Sequence, residues 1–294
     1  MTAITVIAIL AAAATIYGFV AMDSCERVKV APKGKKKKYQ VQEVPETGIL
    51  FMVIMAVALI VRYIAAAKYF GNETDMNCFI AWGDMIFKDG IGNFYSSDSF
   101  TDYPPGYMYI LYMVGAIRHV LGVAWNSTLS VMLTKTPAII ADLATAYLLF
   151  RIAGKRWTQK GAGILTAIYL FAPAVLLDGA IWGQTDAVFT FFVVLMIYLV
   201  TERKLIPSYF VFAVAVLVKP QSLIFTPVLI YGIIDQVFLD GFDWKNFWKN
   251  LGLGLAAIAM IALLMLPFGF KDALSQYTET LASYKFASVN AYNI

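Results

Sequence analysis

Long apolar stretches recur along this chain with short polar interruptions. They fall near residues 4–21, 49–69, 105–121, 129–151, 162–178, 184–201, 206–218, 222–238 and 251–268. A membrane-spanning helix needs about 20 consecutive apolar residues, and most of these stretches approach that length. The pattern predicts an all-α polytopic transmembrane bundle with short helices in the first external loop.

Composition agrees: 60% of residues are apolar and 14% charged, against about 25% charged in a typical soluble domain. The net charge of +4 does not indicate a nucleic-acid partner, because seven cations lie between Arg27 and Lys38 in the run RVKVAPKGKKKK. Such a run marks the cytoplasmic side or touches anionic headgroups. The expected organisation is an N-terminal anchor at 1–24, a basic cytoplasmic loop at 25–48 and a transmembrane module at 49–294. A cleaved signal peptide is the alternative for the first segment, which lacks preceding cations and a convincing cleavage site. The closing aromatic stretch YKFASVNAYNI follows soon after a span and reads as unfinished, the mark of a fragment. Cys25 and Cys78 imply no disulfide framework.

With the basic run inside, segment 49–69 runs outward and the loop from Phe70 to Tyr103 is external. Were 105–121 to cross fully, Arg151, Lys155, Arg156, Lys160, Arg203 and Lys204 would all lie outside. A re-entrant or interfacial 105–121 moves these cations inside and brings the 178–186 turn, the Lys219 turn and the tail to the external side, which is the preferred arrangement.

Asp75 stands just past the outer end of a span, before an amphipathic stretch with Met76, Phe79, Ile80, Met85, Ile86 and Phe87. A carboxylate there is close to lipid headgroups and open to a water-soluble acceptor, the position of a general base for sugar transfer. The alternative is a helix N-cap. Asp102-Tyr103-Pro104-Pro105 ends the loop, and the prolines fix how Asp102 and Tyr103 are presented, or merely start a helix.

An acidic residue at the start of the first external loop, an aromatic-rich stretch and a D-Y-P-P exit resemble the GT-C superfamily of membrane glycosyltransferases. The likeness is greatest to protein O-mannosyltransferases and to enzymes using dolichyl- or undecaprenyl-phosphate sugars. The resemblance implies Asp75 as catalytic base, although the second acid common in these enzymes is replaced by Met76, with Glu73 two positions earlier. It implies an inverting transfer of a mannose- or glucose-type hexose from a polyprenyl-phosphate carrier to a glycan, lipid or protein acceptor, with neither cofactor nor metal. The membrane would be the plasma membrane in a bacterium and the endoplasmic reticulum in a eukaryote.

Lys135, before Pro137, resembles the family's basic-x-Pro helix, and Asp142 lies two turns further on the same face. Charges inside a span usually face a cavity, although Lys135 could snorkel to the surface. The turn from Asp178 through Trp182, Gly183 and Gln184 to Asp186 resembles the superfamily's acidic hairpin. Its glycine permits close approach, its amide both donates and accepts, and its indole offers a flat apolar face. Asp186 taken alone is also a first-turn acid favoured by the helix dipole.

Segment 206–218 spans about 20 Å against a hydrocarbon core of about 30 Å, so Lys219 sits at the break before Pro220, below the surface. There it can stabilise a departing lipid phosphate or anchor the helix at the interface. The site expected from sequence therefore has Asp75 as base, Asp102, Tyr103, Asp178, Trp182, Gln184 and Asp186 for sugar or acceptor, and Lys135, Lys219, Gln221 and Arg118 for donor phosphate. His119 is an alternative contact beside Arg118. No zinc spacing, phosphate-binding glycine loop or DxD triplet occurs, and Asn72-Glu73-Thr74 and Asn126-Ser127-Thr128 are formal glycosylation acceptors. Two other classes compete: a transporter or flippase with an intramembrane Asp/Lys path, and an inactive subunit that keeps the GT-C fold.

Overall fold

The computed structural model describes residues 48–96, 100–238 and 241–283, with side chains up to 276. The anchor expected at 1–24 and all but the last residue of the basic loop expected at 25–48 lie outside them, as does Cys25. The described residues form helices α1 (Ile49–Lys68), α2 (Glu73–Asp89), α3 (Pro105–Val120), α4 (Thr128–Ala153), α5 (Gln159–Phe171), α6 (Pro173–Val175), α7 (Asp186–Thr201), α8 (Leu205–Val218), α9 (Thr226–Val237), α10 (Trp244–Met265) and α11 (Phe270–Ser283). Among them, Ile49–Lys68, Thr128–Ala153 and Trp244–Phe268 are long and apolar enough to span a membrane; Gln159–Phe171 and Pro173–Trp182 make a fourth candidate, bent by 49°. The chain is an all-α, multi-pass membrane protein.

The sequence accounts for the helix limits. Ser127 caps α4 by accepting from the Ser130 amide, and Asp243 caps α10 through the amides of Lys245 and Asn246. That cap starts α10 at Trp244, seven residues ahead of the apolar run at 251, because capping depends on polar residues that hydropathy passes over. Pro173 ends α5, since it forces its predecessor out of the helical region. Pro220 likewise ends α8, and a short 3₁₀ turn, Pro220–Phe225, delays α9 to Thr226.

Two compact units divide these elements, one formed by residues up to Asn77 with Ala124–Tyr198, the other by Cys78–Val123 with residues from Leu199 onward. In the first, α1 packs along its length on α4, α5 and the Pro173–Trp182 arm. Phe51 meets Phe150, Ala153 and Ala162; Ala58 meets Ala146 and Leu170; Ala65 meets Leu176, Ala180 and Ile181. Small residues at these contacts let the backbones approach, which is how helices associate in lipid. The opposite side of α1 leaves Met52, Ile60 and Ile64 exposed, as a lipid-facing surface does.

Arg62 lies mid-helix within this apolar packing with no exposed area. Its Nε donates to Asp142 Oδ2 at 3.1 Å and its Nη2 to the Leu170 carbonyl at 2.8 Å, while Tyr169 Oη donates to Asp142 Oδ1 at 3.3 Å. A buried charge persists only when paired and hydrogen-bonded, and this network ties α1, α4 and α5 together.

The second unit has an aromatic core. Phe79, Trp82, Phe94, Tyr107 and Phe268 are buried, with edge-on contacts such as Phe79 to Tyr107 at 5.8 Å and Tyr109 to Phe268 at 5.1 Å. Tyr209 Oη and Asn250 Oδ1, 3.2 Å apart, bind α8 to α10.

Candidate functional site

Helix α2 begins with an Asn cap. Asn72 Oδ1 accepts from the Asp75 amide at 3.1 Å, which puts Asp75 inside the first turn and leaves its carboxylate out of the cap. The Asn72 amide donates to the Trp182 carbonyl at 3.0 Å, clamping the start of the external loop to the 178–186 turn. Asp75 Oδ2 then accepts from Trp182 Nε1 and from Gln184 Nε2, each at 2.7 Å. These are short, charge-assisted bonds. Asp75 and Gln184 are half-buried, whereas Trp182 remains 49% exposed. The result is a fixed carboxylate and an amide beside an accessible indole, groups that can bond a sugar's hydroxyls and pack on its apolar face.

The turn that carries Trp182 and Gln184 is built for close approach. Gly183 has φ +94°, and both its amide and that of Gln184 donate to the Asp178 carbonyl at 3.0 Å. A methyl on Gly183 would overlap the Met76 sulfur and come 3.2 Å from Lys135 Cε, so glycine is required for space as well as conformation. Lys135 is fully buried, and its Nζ donates to the carbonyls of Tyr69 at 2.7 Å, Ile181 at 2.9 Å and Ala180 at 3.2 Å. An ammonium has three N–H bonds, and here all three hold backbone. The geometry is that of a clamp between the end of α1 and the turn, different from the phosphate contact expected of Lys135. Asp178 and Asp186, also half-buried, bracket the turn.

The remaining expected residues fall in the second unit. The loop before α3 is held by side chains that donate to its carbonyls: Trp82 Nε1 to Phe100 at 2.9 Å, Gln276 Nε2 to Thr101 at 2.6 Å and Tyr95 Oη to Tyr103 at 2.7 Å. A loop outside regular structure must satisfy its polar backbone in this way. The Tyr103 ring packs edge-on against Phe79 at 5.5 Å. Gly106, directly after the two prolines, touches the end of α8 so closely that a Cβ there would lie 2.5 Å from the Leu217 carbonyl carbon. The D-Y-P-P exit is thereby seated against the residues leading into Lys219.

Lys219 itself is extended, at φ −153° and ψ 118°, and Ser222 braces the turn by donating its amide to the Lys219 carbonyl and its hydroxyl to that of Ala215. Lys219 is half-buried and Gln221 exposed. Arg118 is buried and pairs with Asp84 Oδ1 at 2.7 Å, with His119 Nε2 at 3.3 Å from the same oxygen, so this pair carries an internal ion pair of α2 and α3.

The structure thus has Asp75, Trp182, Gln184, Asp178 and Asp186 in one unit, and Asp102, Tyr103, Lys219 and Gln221 in the other. Arg62 belongs to none of the sequence motifs above, and Asn72 only to a formal glycosylation triplet. Asn72 was legible as a residue three positions before an acid at a helix start, and Arg62 as a lone cation in an apolar run.

A family model described as GPI transamidase subunit PIG-U matches residues 83–288, a stretch that includes Trp182, Gln184 and Lys219 and begins after Asp75. No curated protein matches the chain.

Proposed function

Because the chain belongs to the family of the GPI transamidase subunit PIG-U, we propose that it is the glycolipid-recognising membrane subunit of such a complex. Members of this family are endoplasmic reticulum membrane proteins and parts of a protein-processing enzyme complex, with protein subunits and lipids as partners. In this reading Asp75, Trp182 and Gln184 hold a sugar ring of a glycan carried on a phospholipid.

The observation that carries the proposal is the double hydrogen bond to Asp75 Oδ2 from Trp182 and Gln184. It fixes the carboxylate as an acceptor next to an exposed indole face, an arrangement suited to holding a ring in place. Purified complex presented with a glycosylphosphatidylinositol and followed by native mass spectrometry provides the test. Trp182→Ala is expected to weaken retention by about 2 kcal/mol, roughly 30-fold. Retention equal to wild type would reject the assignment.

One feature supports a second reading. Asp75 Oδ1 accepts no hydrogen bond among the described residues, leaving an oxygen open to an acceptor hydroxyl as a general base requires. An inverting hexosyltransferase using a polyprenyl-phosphate sugar would exploit it, and transfer of labelled hexose by the purified chain would be its signature.

A further inference from the structure

The start of α10 carries an unusual surface for a span. Trp244 is 65% exposed and Trp248 60%, one helical turn apart, with Phe238 and Phe242 also exposed. The rings support one another: Phe238 and Phe242 lie 5.2 Å apart and Phe242 and Trp244 4.6 Å apart, both edge-on. Lys245 and Lys249, also one turn apart, are exposed along the neighbouring stripe and have no ion-pair partner among the described residues.

Among the described residues no carboxylate forms an ion pair with these lysines. Asp243 is committed to the helix cap, accepting from the amides of Lys245 and Asn246 and from Asn246 Nδ2, and Asp235 pairs with Arg203 at 3.2 Å. Beside the rings opens a cavity of about 590 Å³ lined by Gln236, Phe242, Trp244, Lys245 and Asn246 together with the carboxylates of Asp235 and Asp243, within the range that holds small ligands.

Aromatic rings at the end of a membrane span settle at headgroup depth, and lysines there attract the anionic lipids of the cytoplasmic leaflet. We propose that Phe238, Phe242, Trp244, Trp248, Lys245 and Lys249 form a binding site for an anionic phospholipid, with the lysines on its headgroup and the rings against its glycerol and upper acyl chains. The occupant follows from two exposed lysines without an ion pair among the described residues, set beside exposed rings at the mouth of a span, a combination that matches charge and apolar chain in one molecule. None of these residues is among those assigned to the glycan above.

The test uses the full chain in nanodiscs of phosphatidylcholine with or without phosphatidylserine. Native mass spectrometry measures which lipid stays bound, and brominated acyl chains report contact through quenching of the fluorescence lost in Trp244→Phe. Wild type is expected to retain phosphatidylserine preferentially and to show Trp244 quenching. Joint Lys245→Gln and Lys249→Gln substitution is expected to reduce the preference about 30-fold, at roughly fivefold per lysine. Joint Trp244→Ala and Trp248→Ala substitution is expected to weaken both lipids alike. Equal retention of the two lipids by wild type, or a preference unchanged by the lysine substitutions, would overturn the proposal. So would the absence of Trp244 quenching, which would assign the surface to a protein partner.

Discussion

Arg62→Met is expected to destabilise the detergent-solubilised chain by about 3–5 kcal/mol, read as an early unfolding transition by fluorescence or size exclusion. Arg62 has no exposed area and is the cation paired with Asp142, so its removal strands a carboxylate in the packed interior with Tyr169 as the remaining side-chain donor. The Leu170 carbonyl loses its donor at the same time. Removing both charges, with Arg62→Met and Asp142→Leu together, is expected to recover most of the loss, because the penalty arises from the uncompensated charge. A single variant within 1 kcal/mol of wild type would sink this view of the pair.

Lys135→Met is expected to cost about 3 kcal/mol or more, since hydrogen bonds to charged groups contribute about 1.5–3 kcal/mol each and buried acceptors left unmade are costly. Three carbonyls, those of Tyr69, Ala180 and Ile181, would lose their donor together. Because these carbonyls flank the Trp182 turn, glycolipid retention should fall in step with stability. A variant with wild-type stability and reduced affinity for a phosphate-bearing lipid would contradict the clamp and give Lys135 a ligand contact instead.

Much of the helical layout was legible because span length and hydropathy follow from the bilayer itself: α1, α3, α4, α5, α7 and α8 lie where apolar runs were read. The limits of α9 and α10 were less legible, because a 3₁₀ turn and an Asp cap set them. Lys135 and Asp142 could be placed on one face of α4 from spacing alone, and both are buried there. Their partners could not, since Arg62 is 80 residues from Asp142 and the Ile181 carbonyl 46 from Lys135.

The same holds for the candidate site. Asp75, Trp182 and Gln184 were each recognisable by residue type and motif, but the bonds joining them close over 107 and 109 residues. No local rule reports such a contact. Resemblance to GT-C transferases led to the right broad class, a membrane protein with a GT-C-like fold, while the matched family is that of a transamidase subunit, with no sign of polyprenyl-phosphate sugar use. Of the readings open from sequence, a membrane subunit of a complex fits most nearly the inactive subunit that keeps the GT-C fold.

The measurement that separates binding from catalysis compares Asp75→Asn with Asp75→Ala in cells lacking the chain, scored by surface display of a GPI-anchored reporter. Asparagine keeps an oxygen that can accept from Trp182 and Gln184 but cannot take a proton as a base; alanine keeps neither property. Display close to wild type is expected for Asp75→Asn and a fall of about tenfold for Asp75→Ala, because alanine leaves the Trp182 and Gln184 donors without their acceptor. Loss of display with Asp75→Asn, in a protein that still assembles, would contradict this reading and return Asp75 to the role of base.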